Sequence, residues 1–333
     1  MTALVGLFIR IVRVSIMTAR EFLKENLPAG MVEAVVYAKT RNKIRKRKAL
    51  DSSKMPDEIT RLYEERTSAS LDLAHPHTYN EKIQWMKAYH STPEYGRLAD
   101  KYLVRNFVAD RIGEKYLSKL YGVWDSADEI DFSSLPQSFV LKATHGCQWN
   151  VIVPDKTKLD ERVTRRRLAR WLKLDYAFIS DYELHYRFCE PRIIAEEYLT
   201  NGSLSDGSGD DLWDYKFWCF GGRCHFVQFL SNRATGLEMA FFNREWEKTP
   251  FVYSYPRNER EIAKPENLDE MIEAAEALAA GFPHVRVDFY RMSDGRIVFG
   301  EMTFTSMGGY CDWDPPETDE ALGGLFELPK RPY

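Results

Sequence analysis

An α+β fold is what this 333-residue sequence predicts, on three observations. Strand-like and helix-like segments mix without the strict alternation that a doubly wound parallel sheet requires. Two turn signals, Gly221-Gly222 and Asp294-Gly295, each lie between apolar runs and predict antiparallel hairpins. With 44% hydrophobic and 14% aromatic residues, the chain can bury a large core, which excludes disorder as a global description.

The first segment differs in charge from all that follows. Residues 1–50 hold 11 Lys or Arg against 3 Glu, a net of +8, and residues 51–333 hold 35 basic against 47 acidic side chains, a net of −12. The formal −4 of the whole describes neither part. Ala3 to Met17 is apolar but carries Arg10 and Arg13, and lacks the unbroken apolar core and cleavage site of a signal peptide. No run of ~18 apolar residues, as a membrane span needs, is present. Arg41, Lys43, Arg45, Lys46, Arg47 and Lys48 then form a dense basic cluster. Two readings stand. One is a basic amphipathic extension on the anionic inner leaflet, where each basic side chain contributes about 1 kcal/mol. The other is a packed first helix followed by a solvated charge run. The acidic bulk of the chain argues against nucleic acid as a partner. Five cysteines leave one unpaired and show no CxxC spacing, which disfavours a disulfide framework or zinc ribbon.

Residues 51–98 read as a helical lead-in. Its clearest part is Tyr79 to Lys87, with Asn80 as the capping residue and apolar positions at Ile83, Met86 and Tyr89. Asp100 to Ile112 repeats the pattern, with Tyr102, Leu103, Phe107 and Val108 on one face. Leu135 to Lys142 predicts a strand entered from a proline turn. Leu159 to Trp171 predicts a helix whose Arg162, Arg165, Arg166, Arg167 and Arg170 read as a solvated face. A strand follows at Arg192 to Leu199, then a Gly-, Ser- and Asp-rich surface loop from Thr200 to Asp211. Tyr215–Phe220 and Arg223–Leu230 flank the two-glycine turn, with Cys219 and Cys224 as reduced thiols. Leu268 to Ala280 is an Ala-rich helix stopped by Gly281. Trp213, Trp218, Trp246 and Trp313 fit a core better than a sugar platform.

The segment 285–305 carries the most chemistry. A two-residue loop at Asp294-Gly295 pairs Ser293 with Arg296, which sets Asp288 opposite Glu301 and Arg286 opposite Thr303. All four share one face by strand alternation, and Val285, Val287, Phe289, Met302 and Phe304 share the other. Directly opposed carboxylates, with Cβ atoms about 5 Å apart, repel. Either a cation removes that repulsion or the pair simply faces water. A hard cation held by one or two carboxylates plus substrate phosphates describes a magnesium–nucleotide site. No GxSxG or HExxH motif offers a competing hydrolase reading.

Five segments, in this order, resemble the ATP-grasp superfamily, and in detail its TupA-like branch of the teichuronopeptide-biosynthesis type. They are Tyr79–Trp85, Ala99-Asp100-Lys101-Tyr102, Phe139–Gly146, Ile194–Leu199 and the hairpin ending Gly300-Glu301-Met302-Thr303-Phe304-Thr305. The resemblance covers roughly residues 70–329. It implies two α+β subdomains gripping ATP between them, at 99–190 and 191–333, behind the 51–98 lead-in and the helical 1–50 extension. Lys142 would contact ATP phosphates, as would Arg105, which stands where many relatives place a lysine. His145 to Asn150, with Gly146, would form the loop closing over the phosphates. Glu196, Glu197 and Leu199 would form the adenine hinge, and Asp214 or Lys216 would touch ribose or phosphate. Arg286 would stabilise the transferred phosphoryl group, and Asp288 and Glu301 would bind Mg2+. Thr303 replaces the usual Asn of the metal set; a hydroxyl can still ligate.

The activity implied is an ATP- and Mg2+-dependent carboxylate–amine ligase working through an acyl phosphate. Its setting would be bacterial cell-surface polysaccharide assembly, with a uronic-acid acceptor and an amine co-substrate. The protein would be cytoplasmic, peripheral on the inner face of the membrane. The alternatives are a phosphotransferase acting on a sugar or lipid-linked glycan, and a non-catalytic nucleotide-binding module; Thr303 and Arg105 would favour the latter.

Overall fold

The computed structural model describes residues 29–201, 212–231 and 237–331. The apolar opening Ala3–Met17 and nearly all of the Thr200–Asp211 loop lie outside the described residues. The chain divides into two units, Met1–Ala49 and Leu50–Tyr333. The described part of the first is one helix, α1 (Ala29–Lys48), whose last turn is Arg45, Lys46, Arg47 and Lys48. Positive charge there complements the carbonyl end of the helix dipole. At about 100° per residue, Lys39, Arg41, Lys43, Arg45 and Arg47 spread around the axis, so α1 has no single apolar stripe. Among the described residues no helix is long and apolar enough to cross a membrane.

The second unit opens with four helices: α2 (Met55–Thr67), α3 (Tyr79–Tyr89), α4 (Pro93–Ala99) and α5 (Val104–Ile112). The N-cap of α3 is Thr78 rather than Asn80. Its hydroxyl accepts from Glu81 N, and the Glu81 carboxylate accepts from Thr78 N, a reciprocal box that satisfies two helix-end donors. Asn80 is two residues past the cap position, and it binds the backbone of Cys311 instead.

A first antiparallel sheet contains β1 (Leu120–Trp124), β2 (Phe139–Ala143), β3 (Asn150–Val153) and β4 (Ile193–Glu197), in the order β1-β4-β2-β3. Helix α6 (Glu161–Trp171) buries Leu168 against a small core that includes Phe132, Phe139, Leu141 and Ile193. Its arginines are not all solvated. Arg165 folds back onto the Ala127 and Ile130 carbonyls at 2.7 and 2.6 Å, stacked over Phe132. A short helix, α7 (Tyr176–Ile179), and a tight 3-10 segment, Leu184–Phe188, lead into β4.

The second sheet is antiparallel too. Its strands are β5 (Trp213–Phe220), β6 (Arg223–Ser231), β7 (Glu238–Phe242), β9 (His284–Arg291) and β10 (Ile297–Thr303), ordered β10-β9-β5-β6-β7. The short β8 (Val252–Tyr253) pairs with β11 (Trp313–Asp314). Gly221 and Gly222, both at positive φ, make the expected two-residue turn. Helix α8 (Leu268–Ala279) lays Leu268, Met271, Ile272, Ala275 and Leu278 into the larger core, and α9 (Glu317–Gly324) closes the unit. Trp218, Trp246 and Trp313 sit in that core, not on the surface, and Cys219 and Cys224 are buried and reduced. Each fully buried large side chain contributes roughly 1.5–3 kcal/mol, so this second sheet is a stiff platform.

Candidate active site

The face of β9 and β10 that turns away from the large core forms the floor of a cavity of about 580 Å³. Asp288 does oppose Glu301, and Arg286 opposes Thr303. The route to that register differs from the sequence expectation. The loop holds three residues, Ser293, Asp294 and Gly295, closed by Gly295 N–H to Met292 O at 3.0 Å, with Gly295 at φ +86. That shifts the pairing by one, so Val298 faces Tyr290 and Phe299 faces Phe289. A bulge at Gly300 then restores it before Glu301. Because of the bulge, Ile297 and Phe299 join the core while Glu301 and Thr303 point into the cavity.

Arg286 is the centre of the floor. Its Nε and Nη2 donate to both oxygens of Asp288 at 2.7 and 2.8 Å, and Nη2 also reaches Glu301 at 3.2 Å and Thr303 Oγ1 at 3.0 Å. Lys216, from neighbouring β5, pairs with Asp288 and with Asp214 at 3.0 Å. Two cations thus neutralise the opposed carboxylates internally. Burial alone would raise the Asp288 pKa, but the Arg286 and Lys216 charges outweigh it and hold the group below the ordinary carboxylate range. Burial likewise pulls Lys216 down, and Asp214 with Asp288 overcomes it, so the ammonium is held above its usual value.

The donor set fits magnesium. Among the described residues no three His, Cys, Asp or Glu side chains form a closed metal cage, and Mg2+ ordinarily takes only one or two carboxylates plus phosphate oxygens. Asp214, Asp288 and Glu301 against Arg286 and Lys216 leave the floor one negative charge in excess. Glu301, at 35% side-chain exposure, presents an oxygen to the cavity. Asp288 Oδ2 accepts from both Arg286 and Lys216, whereas Oδ1 accepts from Arg286 Nε and keeps a lone pair that would ligate.

Six expected residues therefore converge: Asp214, Lys216, Arg286, Asp288, Glu301 and Thr303 all line the cavity. The remainder sit elsewhere. Lys142 and Arg105 both grip the buried Glu196, each at 2.7 Å, with Ser118 as a third donor. Burial raises the Glu196 pKa, but Lys142 and Arg105 outweigh it and leave it low. Glu197 pairs with Arg296 at 2.8 and 3.0 Å, tying β4 to the β9–β10 hairpin, and Leu199 lies half-buried just beyond β4. His145 is packed against Trp149, with Nε2 on the Trp171 carbonyl, and burial pushes its pKa down. The Gly146 carbonyl accepts from Lys101 Nζ at 2.5 Å.

Cys147, Gln148 and Asn150 of the loop beginning at His145 line the cavity, and so do Lys101, Arg66, Tyr176, Asp181, Glu183 and Tyr186, to which the sequence reading gave no role. Lys101 had a signal, since it follows Asp100 in one of the quoted segments. The stretch Tyr176–Tyr186 had none: its helix is four residues long and its 3-10 turn has no apolar period. The loop Ser306–Gly309, with Met307, Gly308 and Gly309 at positive φ, closes one side. It is held from α3, where Gln84 donates to the carbonyls of Gly308 and Gly309 at 3.0 and 2.8 Å, and Lys87 to Gly308 at 3.1 Å.

No curated protein matches the chain. Among solved structures, an ADP complex of N5-carboxyaminoimidazole ribonucleotide synthetase aligns at 12% identity and a TM-score of 0.40, over 66% of this chain and 49% of that one. The ATP-grasp ligase PsnB with a phosphomimetic precursor, Mg and ADP gives 12% and 0.36, over 73% and 66%. An L-amino acid ligase from Bacillus licheniformis gives 15% and 0.34, over 62% and 40%. The chain thus spans about half the length of the first of these structures, and likenesses so distant carry no argument. A family model described as TupA-like ATPgrasp, by contrast, matches residues 81–327, well over half of the sequence. The chain belongs to the TupA-like ATP-grasp family.

Proposed function

We propose that this protein is an ATP- and magnesium-dependent carboxylate–amine ligase. The observation that carries the reading is the Asp288–Glu301 pair bridged by Arg286 on the cavity floor, in a chain of this family. A carboxylate acceptor attacks the γ-phosphorus of ATP, the bond to ADP breaks, and the acyl phosphate is captured by an amine. Arg286 and Lys216 lie where charge on the transferred phosphoryl group is to be neutralised, which is most of what phosphoryl transfer asks of a protein. Asp288, Glu301 and Thr303 would hold Mg2+, which when bound adds positive charge and orients phosphate oxygens. Enclosure aligns the reactants, so no side-chain nucleophile is needed. Lys142 reaches phosphate only by leaving Glu196, and Arg105 remains to hold that carboxylate. We further propose a uronic-acid unit of a surface polysaccharide as acceptor, an amino acid as amine, and the cytoplasmic face of the membrane as the place.

The test is ADP release by the full-length protein with glucuronate and hydroxylamine. Hydroxamate should form only with ATP, Mg2+ and the carboxylate present. Asp288→Asn and Glu301→Gln should each lower turnover at least ~100-fold with the fold intact. Phosphate retained on a hydroxyl acceptor would indicate a kinase instead, and full activity in either variant would remove the metal assignment.

A further inference from the structure

Among the described residues five carboxylates line the cavity: Asp181, Glu183, Asp214, Asp288 and Glu301. Four are matched by a cation, Asp214 and Asp288 by Lys216, Asp288 and Glu301 by Arg286, and Asp181 by Arg66 of α2. Glu183 is not. Among the described residues it makes no ion pair, and its Oε2 accepts from the hydroxyl of Thr305, two residues past Thr303. It is 9% exposed and opens onto the cavity. Lys87 faces it from α3 but directs its ammonium to Gln84 Oε1 at 2.8 Å and the Gly308 carbonyl at 3.1 Å. Asp181 with Arg66 stands beside it, and Tyr176 and Tyr186, whose rings meet at 4.8 Å, face it from the α7 side. Ser180 also hydrogen-bonds its carboxylate, and the Cys147 thiol feels its charge, with Glu301 acting on Cys147 and Tyr186 beyond.

A buried carboxylate without a cation is unstable unless it is protonated or supplied with positive charge from outside. We propose that this end of the cavity is the amine subsite, where Glu183 binds an incoming primary ammonium group and takes its proton. The inference rests on the ligase reading above. Ammonium nitrogen has no free electron pair, so it must lose a proton before it can attack. Glu183 takes that proton, the freed pair forms the C–N bond at the acyl phosphate carbonyl, and the C–O bond to phosphate breaks. The second nitrogen proton leaves with phosphate, and Glu183 returns its own to water. Burial pushes the Glu183 carboxyl up to about 7, against the pull of Thr305 and Lys87, which suits a base working near neutrality.

The experiment compares two nucleophiles on the full-length protein, with ATP, Mg2+ and glucuronate. Methylamine is an ammonium ion at neutral pH, whereas hydroxylamine is largely uncharged and needs no base. Glu183→Gln keeps the shape and the Thr305 contact. It should lose methylamide formation at least ~100-fold while keeping hydroxamate formation within about 3-fold. Wild-type methylamide formation should fall as pH drops below about 7, and the variant should lose that limb. Methylamide formation retained within about 3-fold, or an equal loss with both nucleophiles, would overturn the proposal. Calorimetric binding of methylammonium decides it independently of turnover: a loss of about tenfold or more in the variant supports the subsite, and unchanged binding refutes it. Wild-type protein that gives no hydroxamate would sink the ligase reading, with the binding arm still deciding the subsite.

Discussion

Glu183 and Glu196 are both buried carboxylates, yet their neighbours send them in opposite directions. Hydroxyls around Glu183 cannot offset its burial, and its pKa rises to about 7; two cations around Glu196 more than offset burial, and its pKa falls. The linkage signs follow. A depressed native pKa makes Glu196 stabilising at pH values above the unfolded carboxylate range, a contribution lost as pH falls through the native value. A raised one makes Glu183 cost stability as pH climbs from the unfolded value towards 7. Replacing Glu196 by Gln leaves Arg105 and Lys142 facing each other in a buried site, and breaking such a cluster costs about 3–5 kcal/mol. Urea unfolding at pH 7 should show that loss for Glu196→Gln, and the gap to wild type should narrow towards pH 3. A Glu196→Gln protein as stable as wild type at pH 7 would mean that the cluster contributes little. The position of Glu196 was legible from the hinge segment, but its ion pairing was not. Arg105, Lys142 and Glu196 are far apart in sequence, and only the β2–β4 pairing with α5 alongside brings them together.

Elements were readable to the degree that both neighbours constrain them. The inner strands β2, β4, β5, β6 and β9 show as apolar or alternating runs because each is paired on both sides. The edge strands β1, β3 and β7 were missed: β1 is half-buried along its whole length and β3 alternates weakly over four residues. The exception is β10, an edge strand betrayed by its Asp-Gly turn. There the correct pairing of Asp288 with Glu301 rested on two offsetting departures, a three-residue loop and the Gly300 bulge. A bulge adds one residue without changing composition, so a lone glycine is its only trace. The loop after β10 allows a sharper test of how α3 shapes the site. Gly309 has φ +73, and a Cβ there would stand 2.7 Å from Gln84 Nε2 and 2.8 Å from Ile83 Cγ2. Gly309→Ala should therefore cost about 1–3 kcal/mol through strain and clash and lower turnover by displacing the loop. Gly324→Ala, with open space around the new methyl at the end of α9, should change the urea midpoint little. Equal effects of the two would show that α3 does not fix the loop.

The whole molecule is a +8 segment joined to a −12 body, and that split makes its own demand. An anionic membrane attracts the first and repels the second, so any membrane affinity must come from residues 1–50 and must be salt-sensitive. Helix α1 is basic around its circumference, with its densest charge in the last turn. That favours attraction to headgroups over insertion of an apolar face by this helix. Taking about 1 kcal/mol for each basic side chain near the surface, changing Arg45, Lys46, Arg47 and Lys48 to Gln should weaken binding roughly several hundred-fold. Sedimentation with phosphatidylglycerol-containing vesicles measures this directly, and neutral phosphatidylcholine vesicles should capture almost nothing. Raising salt from about 0.1 to 1 M shortens the screening length from roughly 10 to 3 Å and should release the wild-type protein. Nucleotide binding should be unchanged in the four-site variant, because every described residue that lines the cavity lies from Arg66 to Tyr310. Vesicle binding that is equal on neutral lipid, or unmoved by the substitutions, would refute attachment of the basic extension to anionic lipid and leave residues 1–50 as a charged segment whose partner is not a membrane.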